Sequence, residues 1–152
     1  MKPKIYLAGA IQRSKDPYTW RYKIRDGLEP NYDVIIPADK MDLPPNPSFE
    51  DRQRVIHDDI ISRDINYVYS SHEFFVKIDP DVFKGAGTVS EITFACIWKK
   101  PIVCWFDGIT IQDAPGWVQG CLYGATMVNG VEEATAHYKA KLMGFYRQQA
   151  IK

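Results

Sequence analysis

Cysteine and histidine are scarce in this sequence of 152 residues. The three cysteines, Cys96, Cys104 and Cys121, form no CxxC pair, and the three histidines are scattered along the chain. Structural and catalytic zinc sites need several such ligands at close spacing, so we expect no transition-metal site. An odd number of cysteines inside apolar segments predicts buried thiols in a reducing compartment.

An excess of charge of either sign is also missing. Lys and Arg total 19, Asp and Glu total 19, and the pI is about 6.8. Without a basic run or stripe we expect no nucleic-acid partner. No apolar run approaches the length of a membrane span, and residues 1–4 lead directly into a strand pattern, so we expect neither a membrane anchor nor a signal peptide. We therefore expect a single cytoplasmic domain over residues 1–152.

Short apolar runs alternate with longer amphipathic segments along the chain. Strands are predicted at 4–8, 32–36, 72–78, 101–106 and 125–128, and helices at 18–28, 51–70, 88–99 and 131–148. The residues between these elements are predicted loops, including a proline-rich segment at 37–50 and a glycine-containing one at 107–124. The alternation predicts an α/β fold with a mainly parallel sheet covered by helices on both faces.

Glu91 follows the glycine-rich stretch at 85–87 and precedes a segment that is apolar nearly all round. Such a helix is normally buried, so its carboxylate is expected near the interior, where it can serve as a nucleophile or a general acid/base. A second interpretation stays open, since Thr88 and Glu91 have the spacing of a capping box at a helix start.

Asp64 is the second acidic candidate. At 100° per residue it falls near the middle of the apolar arc of the predicted helix 51–70, with His57 beside it. A carboxylate there is costly unless it is used or paired, so a functional acid and a buried structural hydrogen bond are both open. We interpret His57 as edging the core and Arg63 as a solvated charge off the apolar face.

Ligands of open parallel sheets bind at the carboxyl ends of the strands. Residues 9–12 follow the first strand, Asp79 and Asp81 follow the third, and Glu91 lies in the next helix. We expect these groups to meet at one edge of the sheet.

Three stretches in this order resemble the nucleoside 2-deoxyribosyltransferase family. They are Ile5-Tyr6-Leu7-Ala8-Gly9-Ala10, then Arg63-Asp64-Ile65-Asn66, and then the segment from Gly85 to Ala95 that contains Glu91. The similarity in order and spacing covers roughly residues 4 to 140. It implies a flavodoxin-like three-layer α/β/α sandwich with a five-stranded, mainly parallel sheet, and no cofactor or metal.

The resemblance also implies a reaction, which is cleavage of the N-glycosidic bond of a 2′-deoxynucleoside with transfer of the deoxyribosyl group to another nucleobase. Glu91 is then the nucleophile that forms a covalent intermediate, and Tyr6 orients it. Asp64 contacts the sugar or assists protonation of the leaving base, and Asp79 or Asp81 takes the acidic position that precedes the glutamate. The expected substrate-binding residues are Gly9, Ala10, Ile11, Gln12, Asp79, Asp81, Gly85 and Gly87.

Two other functions stay open. The 2′-deoxynucleoside 5′-monophosphate N-hydrolases of the same superfamily bind phosphate with a Gly-Ser-Ile-Arg type turn after the first strand. Here that turn is Gly9-Ala10-Ile11-Gln12, with Arg13 and Ser14 close by. A non-catalytic nucleotide-binding domain is the third candidate, because a fold alone does not imply an activity.

A homodimer or larger homo-oligomer is implied by the same resemblance. The family's transferases often complete the site with an asparagine from a neighbouring subunit. The corresponding segment 117–125 contains no asparagine, although Gln119 or Tyr123 could substitute. Apart from this assembly, the expected partners are small-molecule deoxynucleosides and nucleobases.

Overall fold

The computed structural model describes residues 2–12, 14–37 and 45–150, with only the backbone for residues 145–150. The strands are β1 (Lys4–Ala8), β2 (Asp33–Ile35), β3 (Glu73–Ile78), β4 (Ile102–Phe106) and β5 (Thr126–Met127). The α-helices are α1 (Thr19–Leu28), α2 (Phe49–Val55), α3 (Ser62–Ser70), α4 (Gly87–Ile97), α5 (Gly116–Cys121) and α6 (Val131–Ala150). A π-helical segment, Ile56–Ile61, joins α2 to α3, and single 3₁₀ turns lie at Val82–Lys84 and Ile111–Asp113.

The five strands form one sheet in the order β2-β1-β3-β4-β5, and every neighbouring pair is parallel. The predicted α/β fold with a flavodoxin-like three-layer architecture is confirmed. The chain leaves β1 toward β2 on one side and later returns to β3 on the other. This reversal opens a crevice at the carboxyl ends of β1 and β3, where ligands of such sheets bind.

Alternating residues of each strand supply two separate cores. Tyr6 and Ala8 face the layer of α3, α4 and α5, whereas Ile5 and Leu7 face the layer of α1 and α6. All four side chains are fully buried. The alternation therefore directs the Tyr6 ring toward α4, the helix that carries Glu91.

The predicted helix over 51–70 is a continuous helical run, but it is not regular. The π-helical segment has about one more residue per turn than an α-helix, so the apolar residues do not stay on one side of the helix. The predicted single apolar face is therefore wrong. Asp64 is buried at 8% exposure, whereas Ile56 and Ile61 are 39% and 52% exposed. The interpretation of His57 as a core-edge residue is wrong, because its side chain is 84% exposed and pairs with Asp58.

Several local expectations are corrected or fall outside the described chain. The predicted loop 37–50 ends earlier, because α2 begins at Phe49 behind a capping box of Ser48 and Asp51, and residues 38–44 lie outside the described residues. Of the three predicted buried thiols only Cys104 is buried, while Cys96 and Cys121 are partly exposed. In the described ranges, the helices are too short or too polar to cross a bilayer.

The expected assembly stays a prediction. Exposed apolar side chains occur on the helical run 49–70, including Phe49 at 73% exposure, and also at Trp117 and Tyr123.

Candidate active site

Tyr6 and Glu91 are joined by a short hydrogen bond. The Tyr6 hydroxyl donates to Glu91 Oε1 over 2.6 Å. The Tyr6 ring stacks on Phe74 of the adjacent strand at a centroid distance of 5.9 Å, which restricts the ring to one orientation. The sheet therefore holds the phenol, and the phenol in turn holds one oxygen of the partly buried carboxylate.

The capping-box interpretation of Thr88 and Glu91 is wrong. Helix α4 begins at Gly87, its N-cap residue is Ala86, and no side chain caps it. Thr88 is buried within the helix, and Glu91 lies one turn beyond the start, where the backbone N–H groups already have helical partners. The Glu91 carboxylate is therefore free of a capping role and faces Tyr6.

Burial raises the pKa of Glu91 to about 7. The hydrogen bond from Tyr6 and the charge of Arg21 act in the opposite direction, whereas the negative charge of Asp64 adds to the increase. The pKa of Tyr6 is raised far above its usual range by burial and by the charges of Glu91 and Asp64. Tyr6 consequently stays a protonated donor, while Glu91 changes its charge near neutrality.

Asp64 lies beside this pair on α3. Its charge is felt by both Tyr6 and Glu91, and Arg63 Nε donates to its Oδ1 over 3.0 Å. Burial raises the pKa of Asp64, while the hydrogen bond and charge of Arg63 oppose the increase. The expectation that Arg63 is a solvated charge is wrong. The structure thus brings together Tyr6, Asp64 and Glu91 from three separate elements.

Arg21 is a site residue that the sequence reasoning missed. The side chain is fully buried, and it donates from Nε to Leu7 O over 3.1 Å, from Nη2 to Gly9 O over 2.9 Å, and from Nη1 to Pro17 O. Burial lowers the pKa of Arg21 to about 10, while the charge of Glu91 acts to raise it. Helical spacing could have found it, since Arg21 lies three residues before Ile24 on the apolar side of α1.

Gly9 sits where a larger residue would be strained and crowded. It has a φ of +155°, and an added Cβ would lie 3.1 Å from Trp20 Cζ2 and 3.2 Å from both Arg21 Nη2 and Lys77 O. Glycine is therefore favoured in the turn between β1 and α1 by packing and backbone conformation, independently of any ligand.

The remainder of that turn is more open. Ala10 packs partly against the core around Tyr6, the carbonyl of Ile11 accepts from Ser14 N over 3.3 Å, and Gln12 is exposed. Arg13, a candidate for phosphate binding, lies outside the described residues.

Asp79 and Asp81 follow β3 as expected. Their carboxylates form ion pairs with lysines and do not join the group around Glu91. Lys77 Nζ lies 3.7 Å from Asp79 and 2.9 Å from Asp107, and Asp81 pairs with Lys84. Asp79 also accepts from Asp81 N over 3.0 Å, which stabilises the turn. Their carboxylates lie at the carboxyl end of β3, as predicted, but they belong to a separate cluster of charges with Lys77 and Lys84.

Gly85 and Gly87 line the approach to α4. Both are exposed, neither has a positive φ, and an added Cβ at either position would meet no atom within 4 Å. Neither backbone conformation nor packing requires glycine here. Their small size leaves open space next to the start of the helix that carries Glu91.

Comparison with known proteins supports the fold. No protein-family model and no curated protein matches the chain. A conserved protein from Enterococcus faecalis V583 has a similar crystal structure, with a TM-score of 0.68, 18% identity, and coverage of 93% of this chain and 99% of that one. The CMP N-glycosidase BcmB of Clostridium botulinum aligns with a TM-score of 0.49 and 14% identity over 90% of this chain and 98% of its own. At these identities the likeness concerns the α/β architecture alone.

Proposed function

We propose that this protein cleaves the N-glycosidic bond of 2′-deoxynucleosides, with Glu91 as nucleophile, and transfers the deoxyribosyl group to a second nucleobase. The observation that carries the proposal is the 2.6 Å hydrogen bond from Tyr6 to a Glu91 carboxylate at the switch point of the sheet. Glycosyl transfer proceeds through an oxocarbenium-like state that a nearby carboxylate stabilises and then captures. The resemblance to the nucleoside 2-deoxyribosyltransferase family assigns the same residues.

The proposed reaction has two steps. The Glu91 oxygen that Tyr6 does not hold attacks C1′, the C1′–N bond breaks, and the leaving base keeps the bonding electrons and takes up a proton from Asp64 or from solvent water. A ring nitrogen of the second base then attacks C1′, loses its proton, and releases Glu91 as a carboxylate. When water attacks instead, the products are free deoxyribose and free base, so transfer and hydrolysis share the first step.

Asp64 is the second reacting group in this proposal. A partly desolvated carboxyl group beside an ionised one fits two roles, which are acceptance of a hydrogen bond from the sugar and donation of a proton to the leaving base. The raised pKa of Asp64 favours its role as proton donor to the leaving base, whereas its pairing with Arg63 favours its role as hydrogen-bond acceptor from the sugar.

Turnover assays separate the three candidate functions. The protein is incubated with each 2′-deoxynucleoside, alone and with a different free base, and the products are resolved by chromatography. A new nucleoside demonstrates transfer, and free base without a new nucleoside demonstrates hydrolysis. A preference of tenfold or more for 5′-monophosphates would favour the N-hydrolase alternative, and no consumption of any substrate would favour a non-catalytic binding domain.

The pH dependence of the first step follows from the titration of Glu91. The nucleophile must be ionised, and its pKa of about 7 means that this form is lost as the pH falls below neutrality. We expect kcat/KM to rise with pH through about 7, and to be roughly tenfold below its plateau at pH 6. Initial rates between pH 5 and 9 in buffers of constant ionic strength measure this. An acid limb centred near pH 4.5, the ordinary value for glutamate, would contradict a nucleophile whose pKa is raised by burial.

A further inference from the structure

Arg63 has an arrangement that helix stability does not explain. Its Nε donates to Asp64, the next residue in the chain, and the side chains of the two residues are 31% and 11% exposed. Neighbouring residues on a helix point about 100° apart and do not normally face each other, so the arginine side chain must fold back along the helix to reach the carboxylate. An arginine at the edge of a core ordinarily extends its guanidinium into water.

A second feature of Arg63 also requires explanation. Its Nη2 is buried and has no hydrogen-bond partner in the described part of the chain. A buried donor without a partner is costly, and in native structures such groups often belong to functional sites. The guanidinium therefore lies where it can pair with Asp64, although one of its own donors is left without a hydrogen bond.

The charges around Asp64 indicate what Arg63 contributes. Protonated Tyr6 comes from β1, ionisable Glu91 from α4, and the Arg21 guanidinium lies on the Glu91 side. Tyr67 is the other titratable group next to Arg63 on α3. Two adjacent carboxylates repel each other when both are ionised, and of these groups Arg63 alone is paired directly with Asp64.

We propose that Arg63 is a positioning residue that keeps Asp64 ionised beside ionised Glu91 and turns its second oxygen toward the hydroxyl groups of the deoxyribose. In this arrangement Asp64 accepts a hydrogen bond from the sugar, and the leaving base takes its proton from solvent water rather than from Asp64. This inference rests on the proposed function, and it resolves the two roles left open for Asp64.

The test uses Arg63→Gln and Arg63→Lys in the full chain, with Arg54→Gln as the matched control. Arg54 is an exposed arginine of α2 that pairs with Asp51 over 3.2 Å, so its replacement makes the same chemical change away from the site. The Asp64 carboxyl titration is followed by ¹³C NMR and assigned with Asp64→Asn. We expect the Asp64 midpoint to rise by at least about one pH unit in Arg63→Gln, to be largely restored in Arg63→Lys, and to stay unchanged in Arg54→Gln.

Kinetics give the second measurement. If the sugar contact is correct, Arg63→Gln raises KM for the deoxynucleoside by about tenfold and makes the acid limb of kcat/KM steeper at low pH, because a second required carboxylate then titrates there, while Arg63→Lys recovers most of both. An unchanged Asp64 titration in a folded Arg63→Gln protein would overturn the proposal. So would a shifted titration with an unaltered KM and pH profile. If the unmodified protein consumes no deoxynucleoside, the proposed function fails, and the NMR titration still decides whether Arg63 controls the charge of Asp64.

Discussion

Replacing Glu91 by Gln is expected to lower kcat for deoxynucleoside cleavage by at least about 10³-fold, because an amide cannot form the glycosyl ester. Gln keeps the size of the side chain and an oxygen that accepts from the Tyr6 hydroxyl, so the fold is expected to remain intact. Single-turnover rates of base release measure the loss. Glu132→Gln is the matched control, since Glu132 is an exposed acid of α6, and its activity should stay close to that of the unmodified protein.

The same change is expected to increase stability at alkaline pH. The folded pKa of Glu91 is about 7 and its ordinary value is 4.5, so the native state binds the proton more tightly than the unfolded state does. The contribution of Glu91 to stability is therefore fully present below pH 4.5 and is lost as the pH rises through about 7. We expect Glu91→Gln to exceed the unmodified protein in free energy of unfolding by roughly 2–3 kcal/mol at pH 8, and to match it below about pH 4.5.

Urea denaturation at both pH values measures this difference. A purely structural role for Glu91 predicts the reverse outcome, in which activity is retained and stability is lost at every pH. Activity and the free energy of unfolding together therefore distinguish two roles for Glu91. A nucleophile lowers the stability of the folded protein when ionised, whereas a structural acid raises it.

Replacing Arg21 by Met is expected to lower the free energy of unfolding by about 3–5 kcal/mol. The carbonyls of Leu7, Gly9 and Pro17 lose their donor, and Met fills the volume without replacing any of those hydrogen bonds. These carbonyls lie in β1 and the loop that follows it, next to the Tyr6–Glu91 pair. We therefore expect activity at a permissive temperature to fall as well, because the carboxylate also loses a neighbouring positive charge.

Arg25→Met is the control for this prediction. Arg25 lies one turn further along α1, pairs with Asp26 over 2.9 Å, and is 37% exposed, so its loss should leave the free energy of unfolding nearly unchanged. Thermal and urea unfolding of both variants provide the comparison. If Arg21→Met were as stable as Arg25→Met, the buried guanidinium would not be what holds the turn after β1.

The sheet was predictable because central strands that are buried on both faces appear in the sequence as short runs of mostly apolar residues. Strands β1, β3 and β4 consist mostly of apolar residues over five or six positions, and β1 was predicted to its residue limits. The contact of Tyr6 with Glu91 was expected from the family resemblance, whereas the parallel sheet by itself predicted only that residues 9–12, Asp79, Asp81 and Glu91 lie at one edge. The roles assigned to the expected site residues stay predictions until substrate turnover is measured.

The irregular features were not predictable in the same way. A regular advance of 100° per residue cannot anticipate the π-helical segment at Ile56–Ile61, which depends on how the helix meets its neighbours. Arg21 was missed because a charge next to an apolar stripe is usually solvated, although its helical spacing placed it on the apolar side of α1. The carbonyls of Leu7, Gly9 and Pro17 make its burial favourable. Asp79 and Asp81 were placed correctly along the chain, but their pairing with Lys77 and Lys84 depends on local side-chain geometry.

The most direct test is to trap the covalent intermediate. The protein is mixed with a 2′-deoxynucleoside without an acceptor base, quenched in acid within milliseconds to seconds, digested with trypsin and analysed by mass spectrometry. We predict that the peptide of residues 85–99 gains about 116 Da, the mass of a deoxyribosyl group, with the modification on Glu91 and absent from Glu91→Gln. Turnover of the nucleoside with no adduct at any quench time, or with an adduct on another residue, would contradict the assignment of Glu91 as the nucleophile.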